Sequence, residues 1–492
     1  MLDAVTAEET ATIVDAEGRT ASPVVAPLTN HAVARLKRDL NGGRTMIGLS
    51  ATSVHRALGD TPLAARLHDQ AYTGGLQLQH RFGGNAWLAR VHAVGSWVHG
   101  SPEAIAETQQ AARHLYQRPG MSHAHFDPTR TSLSGLGATW QVGRLGDTKH
   151  VRFGTGGDLR TIGLELNDLG FQTFSDRVIP YVWAQYREDQ PGEHVLNWQV
   201  SGDFYAVSTL EPELTERGFE CNGSVQLAGY WTLSAGCTLA DRVADPPALR
   251  GGPTLRLDPR LWLWLGLTTD TRKPVWLTLN ASGGRAWTPD ELDAGVDVGA
   301  TIQARSNIDL FIGPSIYSRS DPMQYVDEVT DTAGATHYVF ARIRQRVTSL
   351  TLRVNWTFSP RLTLQAYAQP FLASGRYSEL KDVDDPGARR YEDRFTPIHG
   401  TSYTLDDGVY TVRTPTASYS FDEPDFSFRQ LRSTVVLRWE YRPGSTVFAI
   451  WSHGRTSELA DGRYQLGRDV RALADAGGEH VVMLKANYWI GL

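Results

Sequence analysis

The stretch Trp87-Leu88-Ala89-Arg90-Val91-His92-Ala93-Val94-Gly95-Ser96-Trp97 decides the fold class. Read with period two, one face carries Trp87, Ala89, Val91, Ala93, Gly95 and Trp97. The other carries Leu88, Arg90, His92, Val94 and Ser96. Successive side chains alternate across a strand, so this pattern predicts a β-strand with one apolar and one mixed face. Its length narrows the choice further, because strands of soluble proteins usually run to only about five or six residues. The two tryptophans share a face ten residues apart. At about 3.3 Å per residue and a tilt of about 40°, that spacing rises about 25 Å, the height of a lipid-facing band between aromatic girdles.

The same alternation recurs along the chain. Leu362, Leu364, Ala366, Ala368, Pro370 and Leu372 oppose Thr363, Gln365, Tyr367, Gln369 and Phe371. Leu431, Ser433, Val435, Leu437, Trp439 and Tyr441 oppose Arg432, Thr434, Val436, Arg438 and Glu440. Val296, Val298, Ala300 and Ile302 alternate with Asp297, Gly299, Thr301, Gln303 and Arg305. Short links at 83–85, 305–307, 359–360 and 442–444 alternate with long excursions at 99–131, 157–175, 241–257, 375–426 and 455–479. Outer-membrane barrels keep that phase, with short periplasmic turns and long external loops. The expected fold is therefore all-β, a large antiparallel transmembrane β-barrel of about 20 strands filling residues 1–492 as one domain.

Composition is compatible with this reading and excludes others. Of 492 residues, 41% are hydrophobic and 21% charged, and the mean hydropathy of -0.32 resembles that of a soluble protein. Length alone would suggest two to four soluble domains. A barrel hides half of each strand's polarity in its lumen, so a low average does not exclude a membrane. No run reaches the ~18 apolar residues of a transmembrane helix. The 14 Trp, 18 Tyr and 16 Phe argue against disorder, and two Cys are too few for a zinc ribbon or a disulfide scaffold. A net charge of -6 with no basic stripe excludes a nucleic-acid groove. Arginine dominates the cations, and Lys37, Lys149, Lys273, Lys381 and Lys485 complete them; composition alone assigns that bias to a GC-rich genome. The opening Met1-Leu2-Asp3-Ala4-Val5-Thr6 has neither the basic nor the apolar region of a signal peptide. The last strand is expected to run Val482, Leu484, Ala486, Tyr488, Ile490, Leu492 on one face, a pattern suited to recognition by barrel-insertion machinery.

Several segments together carry a family resemblance. They are Leu2-Asp3-Ala4-Val5-Thr6-Ala7-Glu8, Asn167-Asp168-Leu169-Gly170-Phe171, Leu249-Arg250-Gly251-Gly252-Pro253 and Gln369-Pro370-Phe371. Asp425-Phe426-Ser427-Phe428-Arg429 and the run from Leu437 to Thr446 complete the set. Across essentially the whole chain, the sequence resembles the domain of unknown function 5916, a bacterial β-barrel domain that often follows a carbohydrate-binding module similar to family nine. The resemblance implies a Gram-negative outer-membrane location, membrane lipid as a partner and a link to glycans, without an established reaction. It also implies that the signal peptide, the binding module and the first strands of the family are missing here, with Met1 falling partway along a strand.

Chemistry-bearing motifs are sparse. There is no phosphate loop, nucleophile elbow or Cys/His metal spacing, and nothing calls for a cofactor. In an extended segment His123, His125 and Asp127 would point the same way and could converge on a divalent metal; a polar surface loop is the alternative. Ser101 as N-cap and Pro102 at the first helical position predict a short helix ending before Pro119-Gly120, which would cap or plug the lumen or merely decorate the loop. Asn167 and Asp168 are candidate ligand contacts, with a tight turn as the plainer reading. Acidic groups at Asp382, Asp384 and Asp385 and at Asp406-Asp407 do not fit an EF-hand. Cys221 and Cys237 face each other if a hairpin turns near Gly229-Tyr230; strained cross-strand geometry leaves free thiols as the alternative to a disulfide. The expectation is a porin-like channel or transport barrel linked to glycan handling at the cell surface, with no catalytic residues assigned. An outer-membrane hydrolase acting on glycans or lipids, or a barrel that anchors a carbohydrate-binding module, stays open.

Overall fold

A computed structural model of the chain describes residues 1–490 apart from Ala16 and Asp147. Among the described residues, one antiparallel sheet of 21 strands dominates. The chain divides into two compact units. The first holds β1 (Leu2–Thr6), β2 (Thr29–Leu40), β3 (Thr45–Arg56), β4 (Gln70–Phe82), β5 (Trp87–His99), β6 (Ser132–Arg144), β7 (Val151–Arg160) and all but the last residue of β8 (Arg177–Glu188). Parts of β9 (Val195–Ser208), β10 (Leu214–Leu227) and β11 (Thr232–Arg242) belong to each unit. The second holds β12 (Arg260–Thr268), β13 (Val275–Ala286), β14 (Leu292–Arg305), β15 (Ile308–Thr330), β16 (Thr336–Ser359) and β17 (Leu362–Val383). It continues with β18 (Phe395–Pro397), β19 (Phe426–Arg442), β20 (Ser445–Leu459) and β21 (Gly478–Asn487).

The alternating stretches 87–97, 296–305, 362–372 and 431–441 each lie inside one of these strands, and Trp87 opens β5. Register turns the alternation into rows. In the first unit Leu36, Leu49, Leu76, Ala93, Ala138 and Leu159 are successive cross-strand partners on β2 to β7. Leu36, Leu49 and Leu76 are 67%, 51% and 46% exposed, so among the described residues this end of the apolar row is left uncovered. One residue along, on the opposite face, the row reads Lys37, Gly48, Gln77, His92, Thr139 and Asp158. In the second unit Leu265, Ala281, Val296 and Ile316 form an apolar row, and Gly266, Asn280, Asp297 and Ser315 the polar row behind it. The polar face is termed the inner face and the apolar face the outer one. A soluble sandwich would bury its apolar rows; this sheet exposes them.

Aromatic contacts bracket the apolar rows. Near the short turns Trp87 stacks on Phe82 at 6.1 Å between ring centroids and meets Phe153 edge-on at 5.8 Å. Toward the other end of β5, Trp97 lies 5.7 Å from Tyr72. Turns at 41–44, 83–86, 306–307, 360–361 and 443–444 alternate with long segments at 57–69, 100–131, 161–176, 384–425 and 460–477. The links at 209–213, 287–291 and 331–335 are short where the phase predicts long ones. The 331–335 link joins strands of 23 and 24 residues, so there the extra chain lengthens the hairpin instead.

Three expectations need correction. β17 continues to Val383 rather than giving way to a loop at 375. Its far end and that of β16 are covered by a small sheet of Tyr403–Asp406, Val409–Arg413 and Ser418–Asp422, which buries Val339, Ala341, Leu380, Val412, Tyr419 and Phe421 together. The last strand leaves the ladder after Asn487, where the Trp489 amide donates to Ser445 Oγ instead; Leu492 lies outside the described residues. Cys221 and Cys237 are free thiols. The hairpin does turn at 228–230, with the Leu227 amide donating to the Trp231 carbonyl. A cross-strand disulfide would have to strain the ladder to reach its preferred torsion.

Within 460–477, helix α2 (Leu466–Asp475) is tied to β19 by a buried ion pair. Arg429 Nε and Nη2 donate to Asp469 Oδ1 at 3.0 and 2.8 Å, and both side chains are almost fully buried. Removing one partner of such a pair strands a buried charge at a cost of about 3–5 kcal/mol. Arg429→Met is therefore expected to release 460–477 while the sheet persists. Trypsin cleavage after Arg463, Arg468 and Arg471 should accelerate by an order of magnitude or more, with β-sheet circular dichroism unchanged. Unaltered cleavage would mean that other contacts hold the segment.

Candidate functional site

The inner face of the first unit is partly filled by two of the long segments. Segment 161–176 turns back over β6 because Gly135 has no side chain: a Cβ there would collide with the Leu164 amide. The Thr161 amide donates to the Leu136 carbonyl at 2.9 Å, and the Glu165 amide to Ser96 Oγ at 2.9 Å. Segment 100–131 contributes the expected helix, α1 (Pro102–Gln110), with Pro102 at its start and Ser101 Oγ accepting from the Ala104 amide. Ile105 of α1 is fully buried with Val54, Ala71, Val98, Leu133 and Ile162, so this helix is packed into the fold rather than decorating it.

Three charged clusters join the segments. In the first, Arg56 Nη1 donates to Asp168 Oδ1 at 2.7 Å, and His68 Nδ1 bonds Asp168 Oδ2 at 2.9 Å. His68 Nε2 lies 2.8 Å from Thr108 Oγ1. Burial opposes ionisation of Asp168, but the hydrogen bonds and charges of His68 and Arg56 outweigh it and lower its pKa. The order Thr108–His68–Asp168 has the spacing of a nucleophile, base and orienter. Thr108 is nonetheless buried, and its hydroxyl donates to the Ala104 carbonyl at 2.9 Å, so no free nucleophile is presented.

In the second cluster Arg113 Nε donates to Glu165 Oε2 at 2.6 Å, and His114 Nε2 bonds the same oxygen at 2.9 Å. The Asn167 amide donates to Glu165 Oε1 at 2.7 Å. Burial would raise the Glu165 carboxyl, but His114, the Asn167 amide and Arg113 together bring it down to about 2. In the third, Asp176 takes Arg118 Nη2 at 3.2 Å and His123 Nε2 at 2.9 Å.

The sequence candidates fall into this framework in unexpected places. Asn167 closes the turn from within: its Nδ2 donates to the Gln172 carbonyl and its Oδ1 accepts from the Gln172 amide. Asp168 is engaged by Arg56 and His68. Both serve the loop itself. His123, His125 and Asp127 do not converge. His123 turns to Asp176, His125 is exposed, and Asp127 accepts from the Thr129 amide and hydroxyl. Among the described residues no group of three His, Cys, Asp or Glu side chains is placed to hold a metal ion. The segment is not extended as the spacing argument required, because Gln109 of α1 pins the Asp127 backbone through both its amide and its carbonyl.

Beside the folded-in segments a cavity of about 500 Å³ remains on the inner face. Arg35, Gln77, His92, Asp158 and Arg160 line it from the strands, and Leu164, Leu166 and Phe171 from segment 161–176. Phe171 is 85% exposed, an aromatic ring presented among hydrogen-bonding groups. Arg160 is aligned by Asp158 at 3.1 Å and lies over the Phe174 ring at 4.1 Å. The Asn167–Phe171 motif reads as a loop in the sequence, but the cavity leaves no local signal there, since its strand residues are spread from 35 to 160.

The fold and site define a class: a large antiparallel sheet with an exposed apolar face and a polar inner face partly occupied by its own loops. The chain belongs to the family described as domain of unknown function (DUF5916), whose model matches residues 1–492. No curated protein matches it. Solved structures similar to it include the siderophore receptor PirA from Acinetobacter baumannii, at 7% identity and a TM-score of 0.39 over 90% of this chain and 74% of that one. Another is a ferric enterobactin receptor mutant (PfeA) from Pseudomonas aeruginosa in complex with enterobactin, at 8% identity and a TM-score of 0.37 over 87% and 73%.

The Glu165 cluster predicts an acid response. Its carboxyl ordinarily titrates at 4.5 and here at about 2, so its contribution is complete above pH 4.5 and is lost as pH falls toward 2. That contribution is of order 3 kcal/mol. Protection factors of amides in 161–176, taken relative to the unfolded chain at each pH, should therefore stay high down to about pH 4.5 and fall below it. In Glu165→Gln protection should be low throughout; an acid response surviving in that variant would assign it to another group.

Proposed function

We propose that the sheet closes in the outer membrane as a β-barrel and conducts a solute along its polar inner face. The observation that carries this reading is the pairing of rows, an exposed apolar row backed one residue away by a polar one on the same strands. Lipid satisfies the first and water the second. The reading requires the first and last strands of the sheet to pair as well, since a spanning backbone must find all its hydrogen-bond partners within the protein.

Segments 100–131 and 161–176 narrow the passage and leave the cavity beside Phe171 as its selective part. A flat aromatic ring next to Asp158, Arg160 and His92 offers an apolar surface and directional hydrogen bonds together, the combination that a sugar ring requires. Glycan fragments are accordingly the proposed cargo. The folded-in segments act as a constriction, and the buried charge clusters hold them in place.

Two measurements test this. Leu76→Arg is expected to lower stability in lipid vesicles by about 2–4 kcal/mol, whereas Gln77→Arg, its neighbour on the inner face, should stay within about 0.5 kcal/mol of the parent. Equal effects would remove the membrane assignment. In planar bilayers the full chain should conduct, and Gly135→Ala, by displacing segment 161–176, should raise the single-channel current several-fold. Maltodextrins should block the current, and Phe171→Ala should weaken the block. Absence of current under every voltage and salt condition would sink the passage.

A further inference from the structure

The outer face of the second unit changes chemistry abruptly along β16 to β21. One row pairs Val354, Ala366, Val435, Trp451 and Val482, wholly apolar. The next outward-facing row on the long-loop side ends in Ser433, His453 and His480, with Trp451 5.8 Å from the His480 ring. Beyond this aromatic rim the row becomes Thr348, Leu372, Arg429 and Ser457, and α2 lies on it through the Arg429–Asp469 pair. Above that stand Arg346, opposite Ser374, and then Arg344, directly opposite Arg376.

Like charges facing each other across a ladder are unfavourable by themselves. Arg344 and Arg376 are both exposed, and among the described residues neither forms an ion pair. The carboxylate near Arg376, Asp425, is turned to the Tyr377 amide at 2.6 Å. The Arg346 guanidinium lies 5.3 Å from the centre of the Tyr464 ring, whose hydroxyl donates to Thr348 Oγ1 at 2.9 Å. Two unpaired guanidinium groups side by side match an anion with several oxygens, which they can engage bidentately.

Helix α2 supplies the second half of the site. Asp469 and Leu473 are buried toward the sheet, whereas Leu466 and Val470, one turn apart, remain about half exposed. Arg471 is exposed on the same helix. A short amphipathic helix with aliphatic residues uncovered and arginines alongside is the pattern of an element lying at a membrane interface. Free inorganic phosphate would use the arginines but leave Leu466 and Val470 unexplained.

We propose that this face binds a phosphorylated glycolipid of the outer leaflet, its phosphates on Arg344 and Arg376 and its acyl region against Leu466 and Val470. The inference rests on the outer-membrane reading and adds a specific lipid class to it. The test uses the full chain in vesicles of phosphatidylcholine with or without lipid A, a phosphorylated, multiply acylated glucosamine disaccharide. Retained lipid is read by native mass spectrometry after detergent extraction, and insertion is scored in parallel by protease protection.

Wild type should retain lipid A, and Arg344→Gln with Arg376→Gln should lower that retention tenfold or more without changing phosphatidylcholine. Arg344→Lys with Arg376→Lys should restore part of it, and Leu466→Ser with Val470→Ser should lower it independently. Unchanged retention in the Gln pair overturns the proposal, as does full displacement of lipid A by millimolar inorganic phosphate, which would make the site one for free anions. Insertion without lipid A selectivity refutes this inference alone; failure to insert refutes the outer-membrane reading and this inference with it.

Discussion

A backbone that crosses hydrocarbon must find every amide and carbonyl partner within the protein, and in a sheet those partners lie on the neighbouring strands. In the membrane reading proposed for this chain, that requirement fixes the rest. Strands must be long enough to span and must be paired on both sides. Once they are paired, period two sends alternate side chains to opposite faces. The row from Leu36 to Leu159 and the row from Lys37 to Asp158 are two sides of the same backbone, one residue out of step. A single-residue register slip would put Lys37, Gln77 and Asp158 on the apolar face, so the register is strongly specified.

The inner face then sets the problem of holding irregular chain against a polar wall. The first unit solves it with close approach and paired charge. Gly135 lets segment 161–176 touch the β6 backbone, and the segment's buried carboxylates each meet at least two cationic or hydrogen-bonding partners. Buried charge is tolerable only when satisfied in this way. The result is a framework with the stereochemistry of an active site but with its groups committed to each other. What remains uncommitted is the cavity beside it, where Phe171 is exposed and His92 projects from its strand into open space.

The strands were legible in the sequence because their physics is local. Trp87 to Trp97 alternates over a length that few soluble strands reach, and Ser101-Pro102 announces α1 by capping chemistry alone. The site was legible only in outline. Asn167 and Asp168 were visible as a polar turn, but Asp168 is defined by Arg56 and His68, about a hundred residues earlier. His123 lies near His125 and Asp127 in sequence, yet its partner is Asp176 on another segment. The same holds for Arg429, whose partner Asp469 is forty residues on. Periodicity carries no record of such pairings; they depend on where loops land after the sheet has formed. The extra length of β15 to β17 was hidden for a related reason, since their far ends are covered by a small sheet and lose the alternation that exposure imposes.

The excess of arginine over lysine has a physical consequence whatever its genomic origin. Arg394 is fully buried, with Nη2 and Nη1 donating to the two oxygens of Asp258 at 2.8 and 3.2 Å and Nε to the Ala388 carbonyl at 2.9 Å. Arg429 is buried on Asp469 in similar fashion. A planar guanidinium keeps its charge under burial and spreads it over several directed hydrogen bonds. Lys381 shows the alternative. It is buried near Phe340 and Phe395 beyond the apolar band, donates to Tyr391 Oη at 2.7 Å and to the Pro322 carbonyl, and among the described residues has no carboxylate in ion-pair contact. Burial, reinforced by the charge of Arg342, brings its ammonium down to about 8. A lysine in place of Arg394 or Arg429 would meet the same penalty with fewer bonds to offset it. Arginine therefore latches these loops with a charge that burial does not remove and with several directed bonds to its carboxylate.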